Sequence, residues 1–454
     1  MKRLSLFILS FVILIIFSCE EESVPFVADD EIETTIPTGN EKYLTSNSDY
    51  IFNQESLHTF ELTIPESSLN KIDADPAKEE YVEGSLTFEG ESLSPIGIRY
   101  KGSVGAFVGC LSGSDWTNPS GYKKCTKLSM KIKINWLDSD HTFYGLKKLQ
   151  FHSQNLDPSQ MRERLGYWLF REMGVPAPRS VHARLIINGE YIGVFALTEQ
   201  IDGRFSRYHF DNGKGNLYKE VWPLDMYGQV QQDEVYLRNL KTNEDENPRV
   251  EMIKGFAQEI STADSEFLKE VIRQWMNVEE IIAFAVVDRT IRNDDGPFHW
   301  YCDNGNCSNH NYYWYEEPVA NKMHLIPWDL DNAFENIIKN ANPVTPIADD
   351  WGEITANCDP FRYELFSIQQ RSAACDKLTA GWVSFIEEYD QIKMQFIDGP
   401  FSESRVNNQL DTWEAQIRAS TLEASEEHND AHSIAEWESG LRKLKESLTF
   451  ARQN

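Results

Sequence analysis

Polar and apolar residues alternate most regularly in "TKLSMKIKIN". Leu128, Met130, Ile132 and Ile134 share one face there, and Lys127, Ser129, Lys131 and Lys133 share the other. A period of two marks a strand with one face buried. "HTFELTIP", "SLTFEGE" and "PIGIRYKGSVG" predict three earlier strands, the last running into a glycine-containing turn. "SVHARLIING" and "EYIGVFALTEQ" predict two later ones, joined by a hairpin turn at Asn188–Gly189. Before this pair the period becomes helical. In "DPSQMRERLGYWLFREMGVPAP", Met161, Leu165, Trp168, Leu169 and Met173 form one apolar stripe. Asp157 is expected as the N-cap, with Pro158 at the first helical position and Gln160 able to close a capping box; Gly174 and Pro176 end the helix.

Beyond about residue 205 the pattern changes. "EEIIAFAVV" predicts a buried helix, and "HNYYWYEE" with "KMHLIPWD" a short hairpin. The last ninety or so residues read as mostly helical. The expected fold is α+β, with a β-rich lobe and one main helix over 46–205 and an α-rich lobe over 206–454.

The amino terminus has a different character. "MKR" followed by "LSLFILSFVILIIFSC" reads as an export signal over residues 1–18. Its "IFSC" ending resembles a bacterial lipobox, which would make Cys19 the lipidated first residue and a lipid anchor the route to a membrane. An uncleaved membrane anchor is the competing reading, for which the run is short. Residues 19–45 are acidic and aperiodic, as expected of a flexible tether. The "EEES" that follows the cysteine resembles the surface-export tag of Bacteroidetes lipoproteins. The expected location is the outer membrane or cell surface.

The formal net charge of −29 argues against nucleic acid as a partner, because phosphate binding needs a basic footprint. Setting Cys19 aside, the remaining cysteines fall into three near-neighbour pairs: Cys110 and Cys125, Cys302 and Cys307, Cys358 and Cys375. Proximity predicts three local disulfides and an oxidising compartment, although six cysteines allow fifteen connectivities. A metal site is the alternative, but no Cys-x-x-Cys occurs.

The candidate chemistry lies in "DRTIRNDDGPFHWY" and "HLIPWDLDNAF". A glycine turn, a lysine-bearing strand, a helix, two strands, an Asp-x4-Asn segment and a hairpin ending in aspartate follow the order of a protein-kinase-like fold. Phosphoryl transfer rests on positioning and charge stabilisation. Asp288 is placed as the base that takes the acceptor hydroxyl's proton. Asn293 on the same loop, Asp329 and Asp331 are placed as ligands of Mg²⁺ or Mn²⁺. Lys127 is placed on the phosphates, held by Glu163. Taken singly, each has a plainer reading: a turn residue, a Ca²⁺ ligand, a solvated lysine, an exposed helix glutamate.

These segments, with "GIRYKGS", "FYGLKKLQFHSQNLDPSQMRERLGYWLFREMGVPAP", "LIINGEYIGVFALTEQID" and "NLYKE", resemble the spore-coat-protein-H-like (CotH) kinase family over about residues 90–335. The resemblance implies an ATP-dependent, metal-dependent kinase acting on protein Ser/Thr hydroxyls, with the acceptor unspecified. It makes Asp288 the base, Asp329 a metal ligand and Lys127 the family's strand lysine. It also makes Lys219, in "NLYKE", a nucleotide contact. The turn departs from the family's Gly-Asn-Ser-Ser, and insertions carry Cys110–Cys125 and Cys302–Cys307. The alternative functions are a catalytically silent kinase-like surface binding or adhesion protein, or a Ca²⁺-stabilised structural protein.

Overall fold

The period-two runs of the first half become seven strands that close on themselves. They are β1 (His58–Thr63), β2 (Val82–Phe88), β3 (Glu91–Tyr100), β4 (Met130–Lys133), β5 (Lys148–His152), β6 (Ser180–Ile187) and β7 (Glu190–Thr198). Their order around the barrel is β1-β2-β3-β4-β5-β7-β6, and β6 returns to pair parallel with β1. The computed structural model describes residues 47–102, 104–115, 117–137, 141–244, 248–338, 349–362 and 369–453. The export signal, Cys19 and the tether lie outside the described residues. Among those described, no helix is long and apolar enough to cross a membrane.

The alternation around β4 holds. Leu128, Met130, Ile132 and Ile134 are buried in the barrel core with Phe60, Leu86, Ile98 and Phe151. The opposite face is not solvated as a lone strand's would be, since Ser129 and Lys131 are also buried. β5 had no clear alternation in "KLQFH" and was not anticipated. The Asn188–Gly189 turn forms, with φ of +51° and +83°, the left-handed pair a tight hairpin needs.

The expected helix forms, but it runs from Arg162 to Glu172. Asp157 is not its N-cap. Its Oδ1 accepts the Ser159 N–H and its Oδ2 the Arg162 N–H, both at 2.9 Å, so it folds the approach into a turn. Gln160 takes φ +59° and closes no capping box. The helix buries more than a stripe: Glu163, Arg164, Tyr167 and Phe170 are enclosed too. Arg164 is held by neutral acceptors, His182 Nδ1, Gln416 Oε1 and the Gln54 carbonyl, each at 2.8 Å. His182 gives its Nε2 proton to the Gln160 carbonyl at 2.6 Å, which leaves Nδ1 free to accept.

The second half adds β8 (Leu217–Lys219), β9 (Trp300–Asp303), β10 (Asn306–Ser308), β11 (Tyr312–Glu317), β12 (Lys322–Pro327), β13 (Phe361–Arg362) and β14 (Gln369–Arg371). They make two small sheets, β12-β11-β8 and β10-β9-β14-β13. The buried helix spans Val278–Thr290, and four helices from Lys377 to Gln453 fill the carboxy-terminal part. Leu165, Leu169 and Phe170 share one core with Phe284, Trp314, Trp413 and Trp437, so the Arg162–Glu172 helix packs with the second half. The Glu403–Glu427 helix fastens to the barrel. Tyr191 donates its hydroxyl to the Ser420 carbonyl at 2.9 Å, and Arg184 pairs with Glu423 at 2.7 Å. All three disulfides occur as expected, Cys110–Cys125, Cys302–Cys307 and Cys358–Cys375.

On β12, His324 lies between Glu280 at 2.8 Å and Glu317 at 3.3 Å. Burial disfavours its charge, but the two carboxylates outweigh that and raise its pKa to about 9. A raised folded-state pKa gives stability that is complete below the ordinary value of 6.5 and lost as pH rises through about 9. The melting temperature should therefore fall over that window, and His324→Gln should flatten the fall. Parallel curves for parent and variant would show that the ion triad contributes nothing.

Candidate active site

Register across the barrel decides which polar side chains meet. Arg99 of β3 lies opposite Lys131, Lys131 opposite Gln150, and Gln150 opposite Thr198, so all four share one face. His152 follows Gln150 by two residues and joins that face. Its Nε2 is 2.7 Å from Lys101 Nζ, and its Nδ1 is 2.6 Å from Glu163 Oε1. Thr198 donates to the same carboxylate oxygen at 2.9 Å. A lysine–glutamate couple is thus bridged by an imidazole. Burial lowers the Lys101 pKa to about 8, with the nearby Asp329 carboxylate resisting and Lys131 and Lys219 adding to the drop. Lys219 ends β8, opposite Tyr313. The three lysines therefore form one cationic group.

Lys127 is not among them. It precedes β4, and its Nζ bonds the Val194 carbonyl at 2.5 Å over the Phe195 ring. Its acidic neighbours are Asp157 and Asp430. Glu163, the expected partner of Lys127, is bonded to His152 and Thr198 instead.

The acidic side is built where the β11–β12 hairpin ends. Asp329 takes the left-handed conformation, φ +56°, and donates its N–H to the Tyr167 hydroxyl at 3.1 Å. A single turn, Leu330–Asn332, then presents Asp331. The Arg162–Glu172 helix can approach this turn because residue 166 is glycine; a Cβ there would stand 2.8 Å from Leu330 Cδ1. Arg162 reaches the same segment through Glu335. Facing it is Asp295. Tyr301 donates its hydroxyl to Asp295 Oδ1, while Asn311 at 3.0 Å and Asn332 at 3.3 Å donate amides to Oδ2.

Burial raises the pKa of Asp295, Asp329 and Asp331. Mutual repulsion adds to this, and Asp331, close to Asp329, Glu163 and Asp295, is raised well above the usual carboxylate range. Such a group is relieved by a cation. Among the described residues, no three or more His, Cys, Asp or Glu side chains are arranged to hold a metal ion by themselves. Mg²⁺ is ordinarily held by one or two carboxylates together with phosphate oxygens, and an all-oxygen donor set beside three lysines fits that mode.

Asp288 lies elsewhere than on a loop. It is in the last turn of the Val278–Thr290 helix, fully buried, at helical spacing from Ile281, Phe284 and Ala285. Arg289 Nε and Asn293 Nδ2 bind its carboxylate at 2.9 and 2.8 Å. Asn293 is itself fully buried, and its Oδ1 has no hydrogen-bond partner among the described residues. Together they brace the turn that carries Asp294 and Asp295. Asp294 is buried against Asn336 at 2.8 Å, with its pKa raised by burial to about 6.

The structure thus brings Glu163, Lys219, Asp329 and Asp331 together, and places Lys101, Lys131, His152, Asp295 and Tyr301 beside them. Lys131 was a visible candidate, in phase with Lys127 along the same strand. Asp295 stood in the quoted "NDDG", but adjacent aspartates cannot be told apart without knowing which one turns inward.

A family model described as "CotH kinase protein" matches residues 98–454. The chain is 24% identical over 200 residues to the inner spore coat protein H of Bacillus subtilis (strain 168), covering 42% of this chain and 51% of that protein. It is 36% identical over 63 residues to an inner spore coat protein H-like protein of the same organism, covering 14% and 20% respectively. The chain therefore spans about half the length of the first relative and a fifth of the second.

Proposed function

We propose, from the premise that this chain belongs to the CotH kinase protein family, that it is an ATP-dependent phosphotransferase acting on hydroxyls of a protein acceptor. The observation that carries this reading is the opposition of Lys101, Lys131 and Lys219 to Asp295, Asp329 and Asp331 across one site. The lysines would hold the phosphates of ATP, with Lys101 oriented by the His152–Glu163 couple. Asp329 and Asp331 would hold Mg²⁺ or Mn²⁺, which when bound neutralises phosphate charge. Asp295 is the base in this reading: half-buried, raised in pKa and anchored by three donors, it can accept the acceptor hydroxyl's proton. Asp288 and Asn293 brace the turn behind it. An exported protein carried on a lipid at Cys19 fits the three disulfides and remains part of the proposal.

Calorimetric titration with ATP tests the reading, with and without Mg²⁺ or Mn²⁺. Binding that requires the metal is expected. No heat under either condition would favour a catalytically silent binding protein.

A further inference from the structure

Asp295 is not held by the core of the fold alone. One of its three donors comes from the insertion that carries Cys302 and Cys307. Tyr301 lies on β9, opposite Ser308 of β10 and Gln370 of β14, so its backbone is fixed from both sides. The next residue, Cys302, is tied to Cys307 directly across the hairpin. The Cys307 N–H points at Met226 Sδ at 3.4 Å, and Arg371 of β14 bonds the carbonyls of Cys358 and Cys375 at 3.3 and 3.1 Å. The Tyr301 ring is stacked between two imidazoles, His299 at 4.1 Å and His310 at 5.1 Å between centroids. With its ring clamped and its strand pinned, its hydroxyl has one place to go, Asp295 Oδ1.

A carboxylate oxygen has two acceptor positions. Oδ2 already takes two amides, from Asn311 and Asn332. Oδ1 takes the phenol and keeps a second position for an incoming hydroxyl. We propose that Tyr301 is a positioning residue that orients Asp295 so that Oδ1 faces the acceptor hydroxyl, and that the disulfide-closed hairpin serves to hold it there. The inference rests on Asp295 being the base. It concerns proton acceptance only: the hydroxyl hydrogen passes to Oδ1 while the Tyr301 O–H bond stays intact.

Tyr301→Phe removes one oxygen and keeps the ring stack. In the full chain, kcat for autophosphorylation should drop by about 100-fold, the scale of a slightly misplaced catalytic group. The KM for ATP, the calorimetric affinity for ATP with Mg²⁺ and the melting temperature should stay at parental values. A purely packing role, which the phenylalanine ring preserves, would leave kcat at its parental value too. A second readout needs no turnover. With 3-fluorotyrosine incorporated, the ¹⁹F resonance that Tyr301→Phe deletes should shift in Asp295→Asn, because its hydrogen-bond acceptor has changed. An inactive Asp295→Asn beside a Tyr301→Phe with parental kcat, or an unmoved resonance, overturns the proposal and leaves the base assignment standing. An Asp295→Asn with parental kcat overturns the base assignment, and this proposal with it.

Discussion

Asp295→Asn should reduce phosphoryl transfer by about 1000-fold, within the range that a positioned general base contributes. The amide has nearly the shape of the carboxylate; its one oxygen can accept from Asn311 and Asn332 while its NH2 donates to the Tyr301 hydroxyl, so the melting temperature should change little. Nucleotide binding should persist, because the role assigned to Asp295 is confined to the acceptor's proton. Asp288→Ala should behave in the opposite way. Its carboxylate is fully buried and neutralises Arg289, so its removal leaves a largely enclosed guanidinium and the buried Asn293 amide without their partner. Breaking one side of a buried pair typically costs about 3–5 kcal/mol. Loss of activity in that variant should therefore track loss of folded protein. Measuring transfer and thermal unfolding in both variants separates the two roles. A stable, inactive Asp288→Ala beside an active Asp295→Asn would return the base to the helix end.

Asp329→Ala is expected to abolish metal-dependent nucleotide binding. Three carboxylates raise one another's pKa here, and Lys101 is drawn toward Asp329. Removing Asp329 takes away an oxygen donor and that attraction. Affinity for ATP with Mg²⁺ should weaken by ~100-fold or more, since metal-mediated charge stabilisation is worth several kcal/mol. Addition of Mg²⁺ should raise the parent's melting temperature and leave the variant's unchanged. A variant that still gains stability from Mg²⁺ would place the cation elsewhere.

What the sequence disclosed follows the range of the interactions involved. The β6–β7 turn, the β11–β12 hairpin, the disulfide pairs and the apolar face of β4 are local, and local patterning was enough to read them. Lys127 and Lys131 were not separable in that way. They stand in phase in one alternating run, and only the structure shows that β4 begins after Lys127 and that its register with β3 and β5 brings Lys131 to the site. Lys101 was passed over because it sits in a turn, where its value depends on His152, some fifty residues on. The misplacement of Asp288 was different in kind, since the information was present. The spacing Ile281, Phe284, Ala285, Asp288 is helical, and it puts the aspartate on the buried stripe. The Asp-x4-Asn pattern was weighed more heavily than the period. The helix start failed for a related reason: Asp157 has cap chemistry, but a turn at Ser159–Gln160 intervenes before the backbone becomes helical.

The parallel pairing of β1 with β6 sets an order of events for a growing or translocating chain. His58 must wait for Ala183, and the whole of β2 to β5 has to emerge before the barrel can close. Until then β1 has one satisfied edge, against β2, and one row of open amides and carbonyls. Long-range pairing of this kind is slow, and an open strand edge invites a second chain to fill it. The half-made barrel is therefore the species most exposed to misassembly, and lengthening the β2–β3 turn at Glu89–Gly90 would prolong its life without touching the finished site.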